Sequence, residues 1–119
     1  LSAFCGAVSA GYACGAAITY MLGGNFNQIA NTIINTLANT SGIICDGAKP
    51  SCAAKISSAL DAALLAHTMS MHDDVFHADE GIVKDDLEKT IRTVRYIGRK
   101  RMKSTDIEVL NIMIDKVCP

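Results

Sequence analysis

Cysteines are the residues of this sequence best suited to chemistry, and three of them are expected where a thiolate is stabilised. Cys5 is predicted at the start of a first helix, Cys45 in a loop containing glycine and proline, and Cys52 at the start of a third helix. Free N–H groups and the helix dipole at a helix N-terminus favour negative charge and lower a thiol pKa. Lys49 can add a positive charge to this small anion-holding site. Three soft thiolates suit zinc or an iron–sulfur cluster.

The spacing of these cysteines leaves alternatives open. Intervals of 40 residues from Cys5 to Cys45 and of 7 residues from Cys45 to Cys52 match no short zinc-finger or ferredoxin pattern. Cysteines that are buried only for packing remain one alternative, and structural zinc is another. A closed zinc site needs a fourth ligand, for which Cys118 and the histidines are the candidates.

The other two cysteines are set apart from this group. Cys14 follows Cys5 by nine residues, which on a continuous helix places it on the opposite face and roughly 13 Å along the axis. We therefore expect Cys14 to be a small buried apolar residue. Cys118 is expected on the final helical turn, where it is a buried residue, an incidental end thiol or a late extra ligand.

Hydrophobic periodicity predicts an all-α domain, a compact bundle of about five helices with small-residue-rich central helices and no strands. The predicted helices run from Gly6 to Leu22, from a cap at Asn25 or Asn27 to Ser41, from a cap at Ser51 to Met71, from about Lys84 to Met102, and from a capping box of Thr105 and Glu108 onwards. The polar stretch from Met71 to Gly81 predicts a connection rather than a packed element.

The predicted core consists of apolar side chains at helical spacing. They are Ile29, Ile33 and Leu37 in the second helix; Ile56, Leu60, Ala63, Leu64 and Met71 in the third; Leu87, Ile91, Val94 and Ile97 in the fourth; and Ile107, Leu110, Met113 or Ile114 and Val117 in the last.

Composition excludes several classes of protein. The chain has 119 residues, 50% of them hydrophobic, and a net charge of −1, so a disordered tail is excluded and nucleic acid is not expected as the main partner. Residues 1–60 hold one acid and two bases, Asp46, Lys49 and Lys55. Together with Leu1 in place of an initiator methionine, this predicts that 1–119 is a fragment of a larger protein, with its first half buried on most sides and its second half solvated. A membrane helix over Ala3 to Leu22 is disfavoured, because the stretch is poor in large aliphatic residues.

Other polar residues have ordinary structural interpretations. The histidines at positions 67, 72 and 77 do not share a helical face, so surface or connection positions are expected for them. The acidic pairs at 73–74 and 79–80 lack the ligand alternation of a calcium loop, and the basic run at 99–103 suits a helix C-terminus. Asn31, Asn35 and Asn39 lie at i, i+4 spacing, which predicts either a polar cavity or a helix contact.

The sequence around the three cysteines resembles that of a known family. The run from Ser41 to Ile56, SGIICDGAKPSCAAKI, preceded by LSAFCG at the start of the chain, closely resembles the C-terminal part of the L-cysteine desulfidase family. That family belongs to the wider group of iron–sulfur serine dehydratase α-chains. The resemblance extends over essentially the whole chain, including Asp85 to Thr90 and the segment from Asp106 to Asp115.

The resemblance implies a cofactor and a reaction. Cys5, Cys45 and Cys52 match the three cysteines that hold a [4Fe-4S] cluster in the family, which leaves one iron open as a Lewis acid. The implied reaction is β-elimination from a small L-amino acid, with L-cysteine giving pyruvate, ammonia and sulfide, and with L-serine as an alternative substrate. The catalytic residue is unknown, because the family's catalytic cysteine and much of its substrate pocket belong to the N-terminal half.

These implications set the expected partners and location. The partners are a small amino-acid substrate and the missing N-terminal half of the same enzyme, with association into a homo-oligomer left open and with no membrane or nucleic acid. Five cysteines without a signal sequence indicate a reducing compartment, and hence the cytoplasm. The alternative is a non-enzymatic helical domain with structural zinc or simply with buried cysteines.

Overall fold

The computed structural model describes residues 4–114, which form five α-helices and no strand. The helices are α1 (Gly6–Met21), α2 (Phe26–Thr40), α3 (Ser51–Met71), α4 (Leu87–Tyr96) and α5 (Lys103–Met113). A π-helical segment, Ile97–Arg101, continues α4. The predicted all-α fold is confirmed, while Val117 and Cys118 lie outside the described residues.

The first and third helices pack closely because α1 presents glycines to α3. A Cβ atom placed on Gly11 would lie 2.8 Å from both the Cβ atom and the carbonyl oxygen of Ala59. A Cβ atom on Gly15 would lie 3.1 Å from the Cβ atom of Ala63 and from a methyl group of Thr32. Only glycine allows this approach of the two backbones, so the small-residue character of α1 serves helix packing.

Buried hydroxyl groups join the three central helices. The Thr19 hydroxyl on α1 lies 2.9 Å from the Thr32 hydroxyl on α2 and 2.9 Å from Nδ1 of His67 on α3. His67 is therefore a half-buried contact between helices and not the surface residue that was expected. His72 and His77, in contrast, are exposed in the connection after α3, as predicted.

The buried face of α3 differs from the prediction. Its buried residues are small: Ala59, Ala62, Ala63, Ala66 and Ser70. The larger side chains expected in the core are partly exposed to solvent in the described chain, with Ile56 55% exposed and Leu64 43% exposed. The reason is the close packing against the glycines of α1, which leaves room only for alanine and serine.

The last helix also contradicts the predicted core. No residue of α5 is buried, and the predicted core residues Ile107, Leu110, Met113 and Ile114 are all exposed. Periodicity identifies an apolar face but not the surface that covers it. Within residues 4–114, α5 packs against no other α-helix, and the Met113 methyl group lies near Gly47 in the turn before α3.

The observed capping residues explain where several helix boundaries agree with the prediction and where they differ from it. Asn25 caps α2 in a reciprocal capping box with Gln28, which confirms the first of the two predicted positions. Asp86 caps α4, so that helix begins three residues after the predicted Lys84. Ser51 is the first residue of α3 rather than its cap, and α5 begins at Lys103 without the predicted capping box.

Asn35 ties the connection between α3 and α4 to the helical core. Its side-chain amide donates to the carbonyl oxygen of Asp74 at 3.0 Å, and its side-chain oxygen accepts from the backbone N–H of Phe76 at 3.0 Å. Asn35 is 1% exposed, while Asn39, one turn further, is exposed. Asn35 thus makes a helix contact, through the Ser70 hydroxyl on α3 at 3.5 Å, while Asn31 and Asn39 line open pockets.

We expect Asn35→Ala to destabilise the protein by about 1–3 kcal/mol, since two backbone groups would lose their partner inside the fold. Asn39→Ala is the matched control and should change the free energy of unfolding by less than about 0.5 kcal/mol. Chemical denaturation of both variants measures the difference. Equal stability of the two variants would contradict the assigned role of Asn35.

No helix among residues 4–114 has the length and hydropathy needed to cross a membrane. The uncharged α1 instead packs within the bundle, with Gly11 and Gly15 buried.

Candidate metal centre

Cys5 occupies the N-cap position of α1 and is 3% exposed. Its backbone N–H donates to the carbonyl oxygen of Ile43 at 2.9 Å, and Phe4 forms an isolated antiparallel bridge with Ile44. These backbone contacts hold the start of α1 against the segment that precedes Cys45. These contacts place Cys5 and Cys45, which are 40 positions apart in the sequence, on backbone segments that lie side by side.

Cys45 and Cys52 lie at the two ends of a short turn that leads into α3. Gly47, at φ +83°, provides the left-handed conformation that the turn requires. The Cys52 thiol lies 3.8 Å from the Gly47 carbonyl oxygen, within reach of a weak S–H···O hydrogen bond. Cys52 is the second residue of α3, which confirms the prediction that its thiol lies at a helix N-terminus.

The three cysteines meet in one apolar cluster. Cys5, Ala7 and Ala59 form its buried part, and three partly buried side chains pack against it: Ile43, Cys45 and Cys52. We call this group of six residues the thiol core. Two of its three thiols, those of Cys5 and Cys52, lie at the first turns of α1 and α3.

Lys55 brings a positive charge to the thiol core. Its ammonium group donates to the carbonyl oxygen of Ile44 at 3.0 Å and forms an ion pair with Asp46. The hydrogen bond to Asp46 raises the pKa of Lys55, and negative charge on Cys5 and Cys52 would raise it further. Sequence analysis did not single out Lys55, although its position three residues after Cys52 on one helix face was a usable signal.

The ion pair is present over the neutral range. The hydrogen bond from Lys55 holds the pKa of Asp46 below its ordinary value of 3.8. The stabilisation of the fold by the Asp46 carboxylate is therefore complete above pH 3.8 and is lost as the pH falls through the lowered pKa. The stabilisation of the fold by the Lys55 ammonium group is complete below pH 10.5 and is lost only as the pH rises through its raised pKa.

Lys49, the predicted source of positive charge, lies on the exposed side of the same turn. Its charge makes the smallest of the contributions that lower the pKa of Asp46. A role of Lys49 in balancing anionic charge or in facing the substrate stays a prediction.

The thiol core supplies the donor types that an iron–sulfur cluster needs, and it gathers them from three separate segments. Among residues 4–114, the side chains of His, Cys, Asp and Glu form no group of three or more that could hold a metal ion as they stand. The donor type therefore fits an iron–sulfur cluster, whereas the positions of the three sulfurs in this structure do not form a ligand set.

Cys14 is exposed, which corrects the expectation that it is buried. It shares the outward side of α1 with Ala10 and Ala17, whereas the buried face runs through Gly11, Gly15 and Thr19. Cys14 lies outside the thiol core, as the helical geometry predicted.

The remaining charged segments lie at the surface. The acidic pairs at 73–74 and 79–80 belong to the connection after α3, in which Asp73 and Asp79 adopt positive φ angles. The basic residues Arg99, Lys100 and Arg101 fall in the π-helical segment, where the Arg101 guanidinium lies 5.5 Å from the centroid of the Tyr96 ring. The acidic pairs thus agree with the predicted solvated loop, and the three basic residues follow the end of α4, in agreement with the interpretation as helix-end cations.

A cavity of about 280 Å³ borders the thiol core. It lies between α1, α2 and α4, is open to solvent on one side, and includes Cys5 in its wall. Most of its lining is apolar, and Ser9, Tyr12 and Arg95 supply its polar groups. A small molecule that enters this cavity would reach the immediate neighbourhood of Cys5.

Comparison with known proteins identifies the family. The profile of the serine dehydratase alpha chain family matches residues 1–111 of this chain. Since the match covers most of the sequence, the chain belongs to the serine dehydratase alpha chain family.

Similar proteins occur in several bacteria. A UPF0597 protein of Treponema denticola is 56% identical over 114 residues, which make up 96% of this chain and 26% of that protein. UPF0597 proteins of Lachnoclostridium phytofermentans and Finegoldia magna are 55% and 52% identical, over 97% and 98% of this chain and 28% of each relative. The chain thus spans about a quarter of the length of these relatives. No solved structure matches it significantly.

Proposed function

We propose that this chain is the cluster-binding part of an iron–sulfur lyase that β-eliminates a small L-amino acid. The observation that carries the proposal is the convergence of Cys5, Cys45 and Cys52 on the thiol core. Membership of the serine dehydratase alpha chain family supports it independently. The cofactor proposed for the three thiols is a [4Fe-4S] cluster.

The proposed roles of this chain's residues follow from their positions. Cys5 and Cys52 supply thiolates at two helix N-termini, and Cys45 supplies the third from the turn that precedes α3. The bound cluster would offer an iron without a protein ligand, which acts as a Lewis acid on the leaving group. The net negative charge of three thiolates on a cubane is balanced by Lys55 and by the helix dipoles, with Lys49 as an outer contributor.

The proposed substrate is L-cysteine, with L-serine as the second candidate. Elimination transfers the α-proton to a base and breaks the bond from the β-carbon to sulfur, so sulfide and aminoacrylate are formed. Water then hydrolyses the tautomeric imine to pyruvate and ammonia. The cavity beside Cys5 has the volume for such a small molecule, since a liquid water molecule occupies about 30 Å³. We assign no catalytic base to this chain.

The proposed partner is the rest of the same polypeptide. The relatives are much longer than this chain, and the chain exposes apolar surface that a longer protein would cover. Tyr20, Met21, Leu22 and Phe26 are each between 63% and 80% exposed, and no charged residue precedes Asp46. Apolar patches of this kind mark interaction surfaces, and the apolar side of α5 is a second example.

Anaerobic assay of the full-length protein tests the proposed reaction. We expect L-cysteine to give pyruvate, ammonia and sulfide in equal amounts, and L-serine to give pyruvate and ammonia. Removal of the iron with a chelator should abolish both activities, because the leaving group loses its Lewis acid. Undiminished elimination by iron-free protein would contradict the proposal, as would iron-replete protein that forms pyruvate from neither amino acid.

The second candidate function is a helical domain with structural zinc or with cysteines that only pack. The apolar neighbours of the three thiols, Ala7, Ile43 and Ala59, are the observation that favours it. Colourless full-length protein with stoichiometric zinc, or without any metal after anaerobic purification, would support this alternative.

A further inference from the structure

We propose that Lys55 is a positioning residue that fastens the turn carrying Cys45 onto the helix carrying Cys52 and thereby holds the three thiols together. This inference rests on the proposed function, because it assigns Lys55 to the site that would bind the cluster. It concerns residues and contacts of this chain.

The contacts of Lys55 reach both sides of Cys45. The ammonium group bonds the carbonyl oxygen of Ile44 at 3.0 Å and the carboxylate of Asp46, which are the residues before and after Cys45. Lys55 itself lies one helical turn after Cys52. A single side chain therefore connects the neighbours of one proposed ligand to the helix that carries another.

The third cysteine joins through the backbone. The segment that Lys55 holds is the same segment that accepts the hydrogen bond from Cys5 and forms the bridge between Phe4 and Ile44. Release of Lys55 would thus loosen the turn against both α1 and α3. Its side chain is 22% exposed, so solvent competes only partly with these bonds.

Lys49 lacks this arrangement and provides a matched control. It lies in the same turn and carries the same charge, but it is exposed, and within residues 4–114 it forms no ion pair. Lys55→Met and Lys49→Met remove one positive charge each, yet only the first removes the link between the turn and α3. Lys55→Arg keeps the charge and a donor, so it should retain most of the link between the turn and α3.

The experiment uses the full-length protein. In Lys55→Met we expect faster deuterium exchange at the amides of residues 43–47. We also expect iron to be released to a chelator about tenfold faster, which is the size of effect seen when residues that support metal ligands are replaced. The reduction potential of the cluster should also fall, because a nearby positive charge is lost. Lys49→Met should stay close to wild type in amide exchange and iron release and should lower the potential less than Lys55→Met does, since Lys49 contributes charge but not the link between the turn and α3. Lys55→Arg should return towards wild type in all three measurements.

Each outcome decides the matter. Equal behaviour of the Lys55→Met and Lys49→Met variants would overturn the positioning role. If Lys55→Met yields no folded protein, Asp46→Asn provides a second test, because it weakens the same link at its other end. Asp46→Asn should reproduce the faster exchange, and unchanged exchange in this variant would also overturn the positioning role. A wild-type protein without iron would instead refute the proposed cluster, and the exchange data would still test the fastening of the turn.

Discussion

Replacement of Cys52 by serine should remove nearly all iron from the full-length protein. Cys52 is the second residue of α3 and packs against the buried part of the thiol core. A serine hydroxyl is a harder and far less acidic donor than a thiol, so it replaces a thiolate ligand poorly. Iron and sulfide analysis of anaerobically purified protein measures the loss, and the visible absorbance of the cluster should disappear with it.

Cys14→Ser is the control for this experiment. Cys14 is exposed on α1 and lies outside the thiol core, so its replacement should leave the iron content near that of the wild type. Equal loss of iron in the two variants would show that the cysteines are not divided as proposed. Unchanged iron in Cys52→Ser would remove Cys52 from the ligand set.

Introduction of a valine at Gly11 should produce the largest loss of stability. Even its Cβ atom would lie 2.8 Å from the backbone oxygen and the Cβ atom of Ala59, so α1 and α3 would have to move apart. Overpacking of this kind costs about 1–3 kcal/mol and in tight sites more. Because Ala59 also belongs to the thiol core, the same change should lower iron retention.

Gly6→Val provides the matched control for the Gly11 variant. Gly6 is the first residue of α1, and a Cβ atom placed there meets nothing within 4 Å. Thermal unfolding of the full-length variants should therefore show a clear decrease of the midpoint for Gly11→Val and little change for Gly6→Val. A Gly11→Val protein as stable as wild type would contradict the close packing of α1 on α3.

The sequence was sufficient to predict the helices and the placement of Cys5 and Cys52 at helix starts, because both depend on local signals. Asn25 followed by Gln28 caps α2, and Gly23 and Gly24 end α1, as their chemistry predicts. Cys5 and Cys52 both lie at helix starts as predicted. Such features require only the neighbouring few residues.

Predictions that depended on tertiary partners were less successful. The periodicity of α3 correctly placed Ala63 in the core, but contact with the glycines of α1 selects an alanine face. The larger side chains predicted beside it, Ile56, Leu60 and Leu64, are therefore exposed. Leu110 of α5 was expected in the core and is 56% exposed. Lys55 was overlooked in favour of Lys49, since its partners, the Ile44 carbonyl and Asp46, become neighbours only when the turn folds back on α3.

The family resemblance and the structure support the central claim in different ways. The resemblance names the cofactor, and the family match covers residues 1–111. The structure adds that three thiols from separate segments share one apolar cluster, with Lys55 beside them.

The most direct test of the cluster is the iron and acid-labile sulfide content of the anaerobically purified full-length protein. We predict about four irons and four sulfides per chain, with the broad visible absorbance of an iron–sulfur protein. Colourless protein with zinc in place of iron, or with no bound metal despite reconstitution with iron and sulfide, would contradict the account.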